Sequence, residues 1–445
     1  MIFFLLTYLI LKTSEYIVLP FKTRIPNILK EQDYMKNKFF NDIYIELELG
    51  TEKEKIPINI KMHSFSFYIV DSNYTKTEIP TFKSKNSKTL KKYEEINTIT
   101  YEEDYSQGTL CTDSIYFNNK KKIDDFKFIL TNALIWTIHL KEGGVIGFNY
   151  PTIFKPQYQN SIFVENLKKS NLIQNQIFSI QYTKEDEGIL VLGEELYNIQ
   201  ESDYMEKALR TTESINIDSQ LEYAIKFDNF CTNNVKFNKT YNVIFYPEIG
   251  VINGNEEYKS YIERNFFKQN NNLCKLEEFY AIGNPEREMD MIYFYYICDN
   301  NFNEKNFPSL LMESKKLNLT FELDYKDLFS FYNNKKYFLV IFPEDPISGK
   351  HFFLGKKKKK KYDFTFNRES KKIGAYDKSV ERYNKFWNYF WNGFKIVLLI
   401  LLIAVLILIS YSIYIKIHAP RKKRVFEIED SFDYTPNTTA NSSLI

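Results

Sequence analysis

With 445 residues, 44% of them hydrophobic, the chain can bury one large core or two medium ones, which excludes disorder as a description of the whole. Its 59 basic and 57 acidic residues leave a formal charge of +2, so no global field points to nucleic acid or to an acidic partner.

In chain order, the first signal is MIFFLLTYLILKTS (residues 1–14), where Ile2 to Leu11 carries no charge. That is the length of a signal-peptide core and too short to cross a bilayer, although no basic residue precedes it. Next, Ile43, Ile45, Leu47 and Leu49 alternate with Tyr44, Glu46 and Glu48. Past Gly50 to Lys55 the alternation resumes through Ile56, Ile58, Ile60 and Met62, so the spacing predicts a hairpin with one buried face. Helical spacing is sparse and falls on Asn160 to Ile173 and on Glu256 to Phe267, where Tyr258, Ile262 and Phe266 share a face. Ile396 to Ile415 is free of charge and as a helix spans about 30 Å, the thickness of the hydrocarbon layer. Trp387 and Trp391 precede this stretch and the basic run Lys416 to Arg424 follows it. Aromatic anchoring and the positive-inside preference then place the large N-terminal part on the lumenal or extracellular side, as a single-pass type I protein of the secretory route or cell surface. The tail after the basic run is acidic, aromatic and hydroxyl-rich, compatible with sorting, phosphorylation or plain disorder.

An oxidising compartment favours paired thiols, and Cys274 with Cys298 would close a loop of about 25 residues worth about 3 kcal/mol. Cys111 and Cys231 lie far apart, and the sequence leaves their pairing open. No CxxC occurs and His63, His139, His351 and His418 are scattered, so neither a metal nor another cofactor is expected. Asn73, Asn238 and Asn318 each open an Asn-x-Thr sequon and are candidate glycosylation sites.

Several stretches, in order, resemble the pepsin-like aspartic peptidase family. YIELELGTEKEKIPINI is similar to its first hairpin, and ITYEEDYSQGTLCTDSIYF to its flap, with Tyr101 at the flap tyrosine and Gly108 at the glycine that follows. GGVIGFNYP (Gly143 to Pro151) resembles the element closing the first lobe's psi-shaped loop. The run from Asn160 to Glu195 follows the helix and strands that lead into the interlobe sheet. FPSLLM (Phe307 to Met312) and the run from Phe352 to Tyr376 fit the second lobe, where Cys274 and Cys298 fall at its disulfide. The resemblance implies a mainly β, bilobal pepsin-like acid-protease fold, to which one C-terminal transmembrane helix is added.

Catalysis in that family uses one Asp from each lobe, sharing a proton and activating a water between them. The resemblance places Met62 at the first Asp position, in Met62-His63-Ser64, and Tyr246 at the second, in Tyr246-Pro247-Glu248. Both carboxylates are then missing. Glu248 stands two places late, where the family uses glycine, and on a backbone that a glutamate would dislike. Asp71 is the nearest acid in the first lobe and lies past the following strand, while His63 is the one titratable group at its turn. The flap tip reads Glu102-Glu103-Asp104, three acids that would repel any carboxylate pair beside them.

The expected organisation is a signal peptide (1–14), a propeptide-like segment (15–36), an N-terminal lobe (37–195) and a C-terminal lobe (196–377). A stalk (378–395), the span (396–415) and a cytosolic tail (416–445) follow. With no dyad for its basic residues to neutralise, the propeptide-like segment would stay as an added strand. The run Lys356 to Lys361 reads as an exposed expansion in a tolerant loop. The expected activity is binding of a peptide or protein in the interlobe cleft by an inactive homologue, with Tyr101, His63 and Glu248 lining the site. The alternatives are a membrane-bound aspartic endopeptidase with atypical catalytic residues and a structural or adhesive surface protein.

Overall fold

The computed structural model describes residues 16–24, 34–39, 42–62, 64–73, 80–100, 105–117, 121–134, 143–150, 162–184, 186–196, 199, 209–213, 215–217, 220–232, 235–237, 240–281, 291–315, 317–344, 352–355, 362–377 and 385–418. Strands dominate. The chain divides into two units, Met1–Tyr383 and Asn384–Ile445.

The predicted hairpin forms as Asp42–Leu49 and Glu54–Lys61, in a register that sets Ile43 opposite Ile60, Ile45 opposite Ile58 and Leu47 opposite Ile56. All six of these side chains are buried, as period-two patterning over a one-sided core requires. The turn works through Gly50, at φ 71°, a left-handed conformation open to glycine at low cost.

Thirteen strands join into one sheet that runs from Leu209–Glu213 through Lys372–Asp377, Tyr362–Asn367, Ile177–Tyr182, Glu187–Leu192 and Ile17–Arg24 to the hairpin. From there it continues into the first-lobe strands Gly144–Gly147, Phe67–Val70, Lys121–Leu134, Tyr105–Phe117 and Lys91–Thr100. The propeptide-like stretch is thus a strand inside this sheet: Ile17–Arg24 pairs antiparallel with Glu187–Leu192 on one side and with the hairpin on the other. Leu19 and Phe21 are buried there, and the ring of Phe21 meets the edge of Tyr182 at 4.9 Å.

The second lobe centres on a nine-stranded sheet, built around Tyr241–Phe245, Phe352–Leu354, Ile252–Asn253 and Val340–Pro343. Both lobes have aromatic cores. Phe67 packs on Phe126, Phe128 and Phe163 in the first, and Phe321 on Phe227, Tyr362 and Phe364 in the second. Cys274 and Cys298 face each other across the antiparallel pair Cys274–Ala281 and Met291–Asp299, and are disulfide-bonded. Cys111 and Cys231 are free; Cys111 is fully buried, which pushes its thiol up to about 11 and makes it inert.

Helices are short and sit where the spacing placed them, at Phe163–Lys169 and Glu256–Ile262, the latter running on through a wider π-turn over Glu263–Phe267. Asn255 caps the second of these by accepting from the Tyr258 backbone N–H at 2.9 Å. Two short helices were not expected, Tyr325–Leu328 and Tyr34–Phe39, the latter lying across residues 36 and 37. The six residues of Tyr34–Phe39 carry no helical signature of their own. Tyr34 and Met35 are buried against Val251, Phe279, Tyr293, Tyr295, Tyr337, Leu339 and Ile341 of the second lobe, and docking fixes the turn.

In the other unit the described part is one helix, Lys385–His418, whose segment Gly393–His418 is long and apolar enough to cross a membrane. The helix starts inside the stretch read as a stalk and runs through Gly393 into the apolar run.

Candidate functional site: two turns that meet between the lobes

The two lobes repeat one local weave. In the first, Glu54–Lys61 runs parallel to Gly144–Gly147, which is antiparallel to Phe67–Val70, which is parallel to Lys121–Leu134. In the second, Tyr241–Phe245 runs parallel to Phe352–Leu354, which is antiparallel to Ile252–Asn253, which is parallel to Val340–Pro343. Met62 is the first residue after Glu54–Lys61, and Tyr246 the first after Tyr241–Phe245. They therefore occupy equivalent places in the two repeats.

The second strand of each weave is closed by a glycine, Gly147 at its last position and Gly355 one residue past it, for one physical reason. A Cβ on Gly147 would lie 2.4 Å from the Ser64 carbonyl carbon and 2.5 Å from the Phe65 nitrogen. A Cβ on Gly355 would lie 2.1 Å from the Ile249 oxygen and 2.3 Å from the Val251 oxygen. Each glycine lets its strand press against the backbone of the turn that follows position 62 or 246. Backbone bonds fix the same approach: Asn149 N–H donates to Ser64 O at 2.7 Å, and Tyr246 N–H to Leu354 O at 3.1 Å. Sequence reading found the first glycine motif but not the second as its counterpart. The signal was there, in the two apolar residues and glycine of Val145-Ile146-Gly147 and Phe353-Leu354-Gly355, hidden by the lysine run that follows the second.

Chemically the two turns differ. Met62 is 1% exposed and belongs to the main core, while Tyr246 is partly buried and stacks on Phe353 with centroids 5.2 Å apart. Glu248 is 2% exposed, and its Oε1 accepts a hydrogen bond from the Met62 backbone N–H at 2.6 Å, across 186 residues of sequence. The second turn thus sends a carboxylate into the first. Under it, on the interlobe strand Ile177–Tyr182, the Tyr182 hydroxyl donates to the Pro247 carbonyl at 3.2 Å. Burial, reinforced by the charges of Glu248, Asp186 and Asp363, pushes that phenol well above its usual range, so it stays a donor.

Glu248 does not have the conformation expected for it. The described residues with positive φ include Gly50 and Gly193 but not Glu248, so the turn is built without a glycine-type backbone and the glutamate sits unstrained. Its carboxylate is turned inward, with Oε1 on the Met62 N–H.

The segment Tyr34–Phe39 lies beside the same second-lobe turn. Gly250 N–H donates to Lys38 O at 2.9 Å, and Tyr34 stacks on Tyr332 with its hydroxyl 2.7 Å from Ser330 Oγ. The chain's own N-terminal region therefore occupies a main-chain donor four residues past Tyr246. Tyr101, His63, Asn238, the acids Glu102 to Asp104 and the run Lys356 to Lys361 lie outside the described residues. Asn73 and Asn318 are both exposed; Asn73 Nδ2 donates to Asp71 Oδ1 at 2.6 Å, and Asn318 holds a tight turn at φ 47°. Among the described residues no group of three or more His, Cys, Asp or Glu is placed to hold a metal ion.

A family model described as eukaryotic aspartyl protease matches residues 42–376. The chain belongs to that family, and the match takes in both weaves and the interlobe strands between them. No curated protein matches the chain.

Proposed function

We propose that this chain is a membrane-anchored, non-proteolytic member of the aspartyl protease family that binds a peptide or protein between its lobes. The observation that carries the reading is the Glu248–Met62 bond. In the family one carboxylate from each equivalent turn activates a water, and here position 62 offers a thioether and position 246 a phenol. The carboxylate brought to the junction, that of Glu248, accepts from the Met62 backbone N–H, and neither position 62 nor position 246 supplies a second carboxyl with which it could share a proton. Extended peptides bind such clefts by strand-like main-chain bonds, which need no catalytic acid. The Gly250 N–H is a donor of that kind, so an incoming peptide has to displace Tyr34–Phe39 or use the rest of the cleft.

The test is a cleavage assay of the full-length chain in detergent on a mixed peptide library, from about pH 3 to pH 7, with and without a statine-type inhibitor. No inhibitor-sensitive cleavage is expected. Inhibitor-sensitive cleavage abolished by Glu248→Gln would instead make Glu248 a working acid and overturn the reading.

Anchoring and orientation form part of the same proposal. Support comes from the uncharged run Ile396 to Ile415 between aromatic and basic flanks. A type I orientation predicts glycan on Asn73 and Asn318; the opposite one predicts it on the tail sequons at Asn437 and Asn441. Endoglycosidase shifts of the corresponding Asn→Gln variants separate the two.

A further inference from the structure

The helix Lys385–His418 is longer than a span needs, and its first part has a composition of its own. Between Lys385 and Lys395 stand Phe386, Trp387, Tyr389, Phe390, Trp391 and Phe394. At 100° per residue, positions 386, 387, 390, 391 and 394 fall within an arc of about 140°. Lys385, Asn388, Asn392 and Lys395 fall in the remaining part of the wheel. One face is aromatic, and the other carries the lysines and asparagines, with Tyr389 on the border beside Lys385. Trp391 and Phe394 are 52% and 45% exposed, and their rings meet edge to face at 5.7 Å.

A helix that simply continued along the bilayer normal would not use this pattern. Lys385 to Phe394 is about 15 Å long, while the headgroup zone of one leaflet is about 5–8 Å deep. Positions 386 and 387 would then stand in water, and a ring of aromatics would serve as well as a stripe. A one-sided aromatic face opposite lysines is the pattern of a helix lying in the interface plane. The residue that would let it turn is Gly393, which has the lowest helix propensity in this helix and sits at the junction with the apolar span.

We propose that Lys385–Asn392 is a membrane-interface helix, hinged at Gly393, whose aromatic face lies in the headgroup–acyl boundary of the leaflet on the ectodomain side. The occupant of that face is lipid because the face runs without a break into the span and has a lysine at each end of its polar side. This inference rests on the membrane-anchored reading given above.

The chain has three tryptophans, Trp136, Trp387 and Trp391, which makes a direct test possible. Full-length Trp136→Phe protein is reconstituted in phosphatidylcholine vesicles with a second change, Trp391→Phe or Trp387→Phe, leaving one reporter in each case. Lipids brominated near or far from the headgroup then report depth by quenching. An interfacial helix gives both reporters blue-shifted emission and the same preference for the shallow bromines. Gly393→Leu, which stiffens the junction, lowers the quenching of Trp387 and leaves that of Trp391. Quenching of Trp391 alone in the parent pair means a helix running straight into water and overturns the proposal. If neither reporter is quenched while the protein resists alkaline extraction, the span is real but another surface, such as a second copy, covers the face, and the proposal is again wrong. Protein released by alkaline extraction defeats the anchored reading itself, and this inference with it.

Discussion

The turn after Lys61 and the turn after Phe245 sit in the same four-strand weave, are pressed by the same kind of glycine, and meet each other, yet they are chemically opposite. The first opens on a buried methionine whose backbone N–H is a donor. The second supplies a buried carboxylate that accepts from it. A two-fold scaffold that places two carboxylates side by side sets up like-charge repulsion that its chemistry exploits. On the proposed reading, one donor and one acceptor stand where that pair would be, which removes the repulsion and makes the place where the turns meet a joint. The weave is kept because it is backbone packing; the side chains it displays are free to change.

The sharpest test of that equivalence is at the two glycines. Gly147→Val and Gly355→Val should each cost about 4 kcal/mol or more, because the new Cβ meets backbone atoms closer than 3 Å and backbone cannot step aside. Urea denaturation of the two variants should show losses of similar size. A near-neutral result at one of them would mean that its weave is not packed like the other, and the comparison between the lobes would fail there.

Removing the disulfide by Cys274→Ala and Cys298→Ala together should cost about 3 kcal/mol, through the greater freedom of the unfolded second lobe. Hydrogen exchange should register the loss in Cys274–Ala281 and Met291–Asp299 and leave the first-lobe hairpin unchanged. Equal loosening in both lobes would show that they unfold as one body.

How much of this was legible beforehand depends on the range of the interaction. The hairpin of Asp42–Leu49 and Glu54–Lys61 could be read from alternation alone, because neighbouring strands share a period and a turn. The disulfide partners could be read from spacing. The bond from Met62 to Glu248 could not, because nothing periodic links residues 186 apart; only the fold sets them together. Reading Glu248 as a misplaced glycine position led to an expectation of strain, and the structure avoids it by building the turn on ordinary φ values. Tyr34–Phe39 escaped for a related reason: six residues are too few for a helical pattern, and their conformation comes from aromatic partners far along the chain.

The joint itself is tested by Glu248→Ala, which leaves the Met62 N–H buried without an acceptor and should cost about 2 kcal/mol. Glu248→Gln keeps an oxygen for that bond and should cost about 1 kcal/mol or less. If Gln and Ala are equally damaging, the charge rather than the acceptor holds the lobes together. If both are harmless, the contact is incidental and the contrast between the turns loses its energetic meaning.

The smallest effect expected is one that belongs to the second lobe alone. Lys336 Nζ donates to Glu304 Oε2 at 2.6 Å and to the carbonyls of Asn300 and Phe302 at 2.9 and 2.6 Å. The hydrogen bond from Lys336 holds the Glu304 carboxyl below its usual value of 4.5. A depressed carboxylate stabilises the fold fully above its unfolded pKa, and that contribution fades as pH falls through the lower, folded one. Lys336→Met keeps the aliphatic stem and should cost about 1 kcal/mol at neutral pH, with a smaller difference from the parent below about pH 4. A difference that persists unchanged into acid would assign the cost to the two carbonyls, which do not titrate, rather than to the ion pair.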